Sequence, residues 1–359
     1  MPSGTSEDRR FPILTGASCY GASNATVRAR LLDWVDHLRL DPVNLLLADR
    51  DPTSMAARAR SHRSEGGPVI VLRNAAKCSR GGLERRLLRS GSPGIYDLDD
   101  GLPWDKGDLP GLGAWWKRPW PRALIARRAA EAADRVVAGN AMLAKWAAGH
   151  CRDVVVVPTC VEPTLFARKT RYEITGRPTI GWIGSAATET YLLDVAPALA
   201  EVHRRTGARL VMMSAPGPVP PPLVPFCERV DWTLDAQHRL PATWDVGIMP
   251  LRNGLYERAK CAYKLLQYGA SGLPMVGSPV GASADVLAHS GNAMPAKPDE
   301  WVDALIEVIG ASADRRARLG AAGADLVAHD YSYRAWAERW ANAVGVTVRG
   351  PRRSAGHDG

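Results

Sequence analysis

The segment ERAKCAYKLLQYGASGLPMVGSPVG, residues 257–281, places Lys260 and Lys264 four apart at the start of what reads as a helix over 259–271. At helical spacing Lys260, Lys264, Gln267, Tyr268 and Ser271 share one polar stripe. Like charges at this spacing repel by about 0.2–0.5 kcal/mol, and the amino-terminal end of a helix dipole disfavours cations further. A bound phosphate removes both penalties, because the exposed N–H groups and both ammonium groups then face one anion. The competing reading is a solvated lysine face relieved by Glu257.

Two further turns could hold an anion. In TIGWIGSAATETYL a buried strand ends in Gly184, the backbone turns through Ser185, Ala186 and Ala187, and a helix starts near Thr188. Small residues there let a pyrophosphate approach the helix end, although every strand-to-helix unit needs some turn. GSPVGAS, 277–283, with Gly281, is the other such turn. In TGASCYGASNATVRAR, 15–30, Gly16 and Gly21 could approach donor phosphate or acceptor while Arg28 points back at the cleft; the alternative is a plain connecting turn. Gly16 and Gly21 lie five apart, so the dinucleotide fingerprint is missing, which argues against an NAD-linked dehydrogenase.

YDLDDGLPWD has three readings. Asp99 and Asp100 line an acceptor or catalytic cleft, or cap the next segment, or Asp97 and Asp99 hold a divalent ion. Residues 101–121 form a Trp- and Pro-rich insertion, and a loop of that length is more often functional than idle. WWKRPWPRALIARR interleaves Trp115, Trp116 and Trp120 with Lys117, Arg118, Arg122, Arg127 and Arg128. It reads as a membrane-surface anchor, as a wall that stacks on acceptor sugar rings, or as a loop packed on its own domain. No Ser-His-Asp set stands out, and the eight histidines are dispersed.

Positioning these residues requires alternating strands and helices. Strands are expected at 11–15, 43–47, 68–72, 93–97, 134–138 and 153–157, with a helix over 24–40. After a proline-rich linker over 158–178 the alternation restarts, with strands at 178–183, 208–213, 245–249, 274–276 and 292–294. Helices follow at 189–205, 259–271, 281–289, 298–310, 312–328 and 332–344. The pattern predicts an α/β protein of two doubly wound parallel sheets facing a central cleft, with the ligand at the carboxyl ends of the strands. The expected division is 1–165, 166–330, and a tail from 331 that crosses back as a helix before 348–359 becomes irregular like 1–10.

A chain of 359 residues exceeds one hydrophobic core, in keeping with two domains. The balance of 46 Lys and Arg against 37 Asp and Glu, net +9, suits an anionic ligand. Six cysteines without a C-x-x-C spacing argue against a zinc site or a disulfide framework. No apolar run spans a bilayer and the amino terminus is polar, so a cytoplasmic protein is expected, peripheral at the inner membrane surface if 112–128 is an anchor.

The stretch DVGIMPLRNGLYERAKCAYKLLQYGASGLPMVGSPVGASADVL, with TIGWIGSAATETYL before it, resembles the donor domain of retaining GT-B glycosyltransferases of family four. VIVLRNAAKC, GIYDLDDGLPWD and ADRVVAGNAMLAKWA extend the resemblance to the first half, covering residues 11–340. The resemblance implies a nucleotide-diphosphate sugar held by the second domain and an acceptor held by the first, with no cofactor and no required metal. Together with the residue patterns above, donor and phosphate contacts are expected at Gly16, Gly184, Ser185, Glu257, Lys260, Lys264, Gln267 and Gly281. Acceptor contacts fall to Gly21, Arg28, Trp104 and Trp116, and catalysis to Asp99, Asp100 and Lys264. The family's pair of donor-site glutamates aligns on Ala259 and Gln267; Gln267 can still accept from a ribose hydroxyl, while the first carboxylate is missing. The implied reaction is glycosyl transfer with retention to a hydroxyl of a small soluble acceptor, such as an aminocyclitol. Alternatives are a lipid-linked or cell-envelope acceptor, a sugar-nucleotide epimerase of the same fold, and, from another class, a basic nucleic-acid-binding protein, for which no motif is present.

Overall fold

The computed structural model describes residues 14–41, 43–47, 67–76, 80–105, 122–295, 297 and 299–347. Trp116, the remainder of 106–121 and both tails lie outside the described residues. The first sheet is built from β1 (Leu14–Ser18), β2 (Val43–Leu47), β3 (Val69–Leu72), β4 (Gly94–Leu98), β5 (Arg135–Ala138) and β6 (Val154–Val156), all parallel, in the order β2-β1-β3-β4-β5-β6. The second contains β7 (Thr179–Ile183), β8 (Arg209–Ser214), β9 (Cys227–Asp231), β10 (Val246–Met249) and β11 (Met275–Gly277), also parallel, in the order β11-β10-β7-β8-β9. Central strands such as β3 and β7 are buried throughout, because helices cover both faces and leave no room for alternating polar residues. Strand order reverses between β1 and β3 and again between β7 and β10, which leaves a crevice at the carboxyl ends of each sheet.

Several boundaries differ from expectation. Among the described residues β1 runs Leu14–Ser18, past the expected end at 15, while positions 11–13 of the strand expected at 11–15 lie outside the described residues. The helix expected over 24–40 comprises Ala25–Val27, a π-helical turn Arg28–Leu32, and Asp33–Leu38, ended by Arg39 at φ 52°. The helix expected over 189–205 breaks at Val195, ahead of Pro197, into Thr190–Asp194 and Ala196–Thr206. β9 carries Glu228, Arg229 and Asp231 on a sheet edge, a polar composition that hid it from a hydrophobicity reading. Residues 292–294 contribute only a single bridge, Val276 to Ala293.

The two halves are bound at two places. The last helix, Tyr333–Val344, packs on the first sheet: the Trp340 ring stacks on Trp34 at 5.1 Å, and Tyr333 Oη donates to the Ala29 carbonyl at 3.2 Å. In the other direction Ala259 and Cys261 of the second half join the hydrophobic cluster of the first, with Ala259 fully buried. No helix among the described residues is long and apolar enough to cross a membrane.

Candidate active site

A cavity of about 500 Å³ opens where the carboxyl ends of the two sheets face each other. The first sheet contributes Asn24 after β1, Arg73 after β3, and Asp99 and Asp100 after β4. From the second come Gly184 and Ser185 after β7, Trp232 after β9, and the stretch carrying Lys260, Lys264 and Gln267. Every strand end points inward because the strands of each sheet are parallel, so one edge of each domain gathers all the loops.

The lysine pair is not on one helix. Ala262 adopts the left-handed conformation at φ 55°, and the helix begins at Tyr263 and ends at Ala270. Lys260 therefore sits in a loop and Lys264 in the first helical turn. The loop is drawn out of helical geometry by its contacts with the first domain. Asn140 Nδ2 donates to the Ala259 carbonyl at 2.7 Å while Asn140 Oδ1 caps its own helix through the Leu143 N–H. Gly139 has no side chain where Cys261 crosses; a Cβ there would lie 2.5 Å from Cys261 Sγ. Gly101 is likewise bare under Tyr256, whose carbonyl would be 2.4 Å from a Cβ. Tyr268 and Ser271, expected on the polar stripe, are fully buried; Tyr268 Oη accepts from the Ile183 N–H and donates to the Ile248 carbonyl.

Charges at the cleft are distributed unevenly. Arg73, held at φ 57°, grips Asp99 with two nitrogens and reaches Asp100 at 3.3 Å. Lys260 Nζ lies 3.2 Å from Asp100 Oδ1, and Tyr256 Oη donates to Asp100 Oδ2 at 3.2 Å. Burial would raise the Asp100 pKa, but Lys260, Arg73 and the Gly101 N–H outweigh it and hold the carboxyl well below its usual range. Asp97 is spent elsewhere: Arg30, itself fully buried, takes both its oxygens at 2.9 and 2.8 Å.

Lys264 differs from Lys260. Its Nζ stands 5.4 Å over the Trp182 ring and has no hydrogen bond or ion pair with any described residue. Burial first and Lys260 second push its pKa down to about 7, with Asp100 pulling the other way. Gly184 makes room for this arrangement, since a Cβ there would meet the Trp182 ring at 2.0 Å. Ala262 supplies no capping side chain, so the helix start beside Lys264 lacks a side-chain acceptor. One turn on, Gln267 is 1% exposed and its Nε2 makes no hydrogen bond among the described residues.

Of the residues singled out from sequence, the cavity gathers Gly184, Ser185, Lys260, Lys264, Gln267, Asp99 and Asp100. Others lie apart from it. Gly16 is packed under Leu31, Arg28 pairs with Asp33 at 2.6 Å, and Gly281 is pressed on the Arg258 carbonyl. Gly21 is outside the cavity wall. Glu257 accepts from Tyr191 Oη at 2.8 Å and, with Trp104, lines a separate cavity of about 630 Å³. Arg73 was missed from sequence; its only local signal is an arginine directly after the strand VIVL.

Residues 177–311 match the family described as glycosyl transferases group 1. No curated protein matches the chain. Among solved structures, HepE of Anabaena, in complex with UDP and glucose, is similar at a TM-score of 0.67 and 11% identity, over 94% of this chain and 100% of that one. WaaG, a glycosyltransferase involved in lipopolysaccharide biosynthesis, is similar at 0.62 and 11%, over 93% and 100%. AviGT4, a glycosyltransferase involved in avilamycin A biosynthesis, is similar at 0.54 and 15%, over 93% and 97%. The chain thus has the GT-B fold, two Rossmann-like parallel-sheet domains facing one cleft, and its second domain carries the match to the group 1 glycosyl transferases.

Proposed function

We propose that the protein is a glycosyltransferase that binds a nucleoside-diphosphate sugar against the second domain and passes the sugar to a hydroxyl of a small soluble acceptor held against the first. The observation that carries this reading is Lys264: a half-buried ammonium, unpartnered among the described residues, in the first turn of a helix without a capping side chain. A diphosphate would satisfy both the lysine and the helix end. The neighbouring structure with UDP and glucose, and AviGT4 with its role in avilamycin A biosynthesis, support a sugar-nucleotide donor and a specialised-metabolite acceptor.

In the proposed reaction the bond between the sugar anomeric carbon and the phosphate oxygen breaks. The acceptor oxygen bonds to the same face of that carbon, and its proton passes to the departing phosphate. Lys264 stabilises the charge gathering on the leaving group, so no metal is required for that task. Asp99 and Asp100, each already paired with cations, hold Arg73 and Lys260 in place instead of attacking the sugar. Retention at the anomeric carbon follows from same-face attack. The test is a panel of sugar nucleotides with purified protein, following thermal stabilisation and hydrolysis with and without EDTA. Absence of any response overturns the reading.

A second acceptor class is favoured by one surface. The adjacent helices Gly82–Leu88 and Arg122–Ala132, with the residue that ends the first, expose Arg85, Arg86, Arg89, Arg127 and Arg128. Such a face attracts an anionic bilayer, which would bring the first domain to a lipid-linked acceptor. Salt-sensitive co-sedimentation with anionic vesicles distinguishes this version from the soluble one.

A further inference from the structure

The second-domain wall of the cavity has a cationic end and an apolar end. At the first, Lys264 Nζ and Gly184, which ends β7, both lie against the Trp182 ring. At the second stand Ala215 and Pro216 after β8 and Trp232 after β9. β9 lies two positions from β7 in the sheet, about 10 Å at the usual strand spacing. A nucleoside diphosphate lying along this wall with its phosphates on Lys264 spans β8 with its pentose and reaches Trp232 with its base.

Trp232 is held by its backbone and by its side chain. Its backbone N–H donates to the Ser214 carbonyl at the end of β8 at 2.8 Å, and its indole N–H donates to Gln237 Oε1 at 3.0 Å. Gln237 is 3% exposed in the helix Leu234–Arg239, whose start Thr233 caps by accepting the Ala236 N–H. The Tyr263 hydroxyl also makes a hydrogen-bonding contact with the Gln237 side chain, so the amide is fixed between two partners. The loop beside Trp232 is fixed as well. Arg229 donates to the Ala215 and Pro218 carbonyls and pairs with Glu189 at 2.9 Å. The indole N–H is the one polar atom of a tryptophan side chain. With that atom on Gln237, Trp232 presents carbon to the cavity.

An aromatic ring that is already immobile loses no rotamer freedom when a ligand stacks on it. We propose that Gln237 is a positioning residue of the donor site: by holding the indole N–H it locks Trp232 as the surface on which the nucleobase of the donor stacks. The inference deepens the donor reading given above and rests on it. It assigns the base end of the donor to a side chain, where Lys264 takes the phosphate end.

Calorimetry first screens UDP, ADP and GDP against the wild-type protein. The tightest is carried into the variants beside inorganic diphosphate, whose constant is read by its displacement of the nucleotide. Trp232→Leu keeps apolar bulk without a ring; it should weaken the nucleotide by about tenfold or more and leave diphosphate within about twofold. Trp232→Phe should keep most of the affinity, since a ring remains. Gln237→Leu should weaken the nucleotide by about threefold or more and leave diphosphate unmoved. In the Trp232→Phe background, where no N–H is left to hold, the same change should alter nucleotide affinity by less than about twofold. A Gln237 that served only to fold the domain would act alike in both backgrounds and on both ligands, a result that overturns its positioning role. Nucleotide affinity that survives Trp232→Leu, or nucleotide and diphosphate weakened alike, overturns the inference and leaves the donor reading standing. Failure of all three nucleotides to bind the wild-type protein overturns the donor reading and this inference with it. If Trp232→Leu does not fold, the comparison of Gln237→Leu in the two backgrounds decides.

Discussion

Lys260 Nζ lies 3.2 Å from Asp100 Oδ1, a contact between the second domain and the first. Both side chains are mostly shielded, 17% and 12% exposed, so water screens the pair far less than it screens a surface pair. The same carboxylate takes Tyr256 Oη and reaches Arg73, making Asp100 the node where the two domains meet. A double-mutant cycle with Lys260→Met and Asp100→Asn, read by urea unfolding, should give a coupling energy of about 1–3 kcal/mol. A value near zero would show that the cleft stands open in solution. Asp100→Ala alone should cost more than Lys260→Met alone, because it leaves Arg73 and Lys260 without their shared counter-charge.

The loop beneath that pair depends on a missing side chain. A Cβ on Gly139 would sit 2.5 Å from Cys261 Sγ and 3.2 Å from the Asp99 Cα. Gly139→Ala should therefore destabilise the protein by about 1–3 kcal/mol, the usual cost of overpacking. Cys261→Ala in the same chain removes the sulfur and should return part of the loss. Asn140→Ala should cost about 1 kcal/mol or more, since it uncaps one helix and frees the Ala259 carbonyl together. If Cys261→Ala fails to rescue Gly139→Ala, the crossing of these two residues is not what fixes the glycine.

The parts of this site that lie close together in sequence were legible, and the parts made by long-range contact were not. Lys264 and Gln267 share a helix with strong apolar spacing, and Gly184-Ser185 follows a run of buried residues; both patterns are local. Helical periodicity also placed Lys260 on that helix, wrongly, because nothing local signals that Asn140, some 120 positions earlier, holds the intervening backbone. Arg73 escaped notice for the same reason: its partner Asp99 comes from the next strand. Glu257 seemed able to serve the donor only while Tyr191 was unseen. Alternation of strand and helix sufficed for the fold class, since a buried parallel strand announces itself by continuous apolar residues. The polar edge strand β9 did not.

In the return of the chain to its first domain Trp340 provides the largest stacked aromatic contact, beside Tyr333 and Val344 in the same cluster. Trp340 is fully buried and its ring lies 5.1 Å from that of Trp34, nearly parallel to it at 8°. Trp340→Ala should lose about 3–5 kcal/mol through the cavity it leaves. Trp340→Phe should lose less, because it keeps a stacked ring and removes an indole N–H that has no partner among the described residues. Chemical denaturation checks both. Equal losses would place the contribution outside the stacking.

The lowered pKa of Lys264 gives the donor site a pH dependence of definite sign. In the empty protein the ammonium titrates at about 7, against an ordinary value of 10.5, because it is buried beside Lys260. A bound diphosphate raises that pKa again. Below pH 7 the lysine is charged with or without ligand, so affinity is at its maximum. Above it the empty protein has lost the proton, which binding must restore; affinity should then fall by about tenfold per pH unit until the ligand-bound pKa is reached. Calorimetry of UDP binding between pH 6 and 9 in buffers of differing ionisation enthalpy should show uptake of about one proton at the alkaline end. Stability follows the same linkage with the folded-state pKa depressed. The unfolded chain holds the proton that the folded one releases, so the penalty is full below pH 7 and disappears as pH rises toward 10.5. Lys264→Met removes the penalty, and should raise the melting temperature of the empty protein at pH 7 by about 2–4 °C for each ~1 kcal/mol recovered. The same substitution should weaken UDP by about tenfold or more and flatten its pH profile. A variant that keeps both the affinity and the slope would remove Lys264 from the phosphate site.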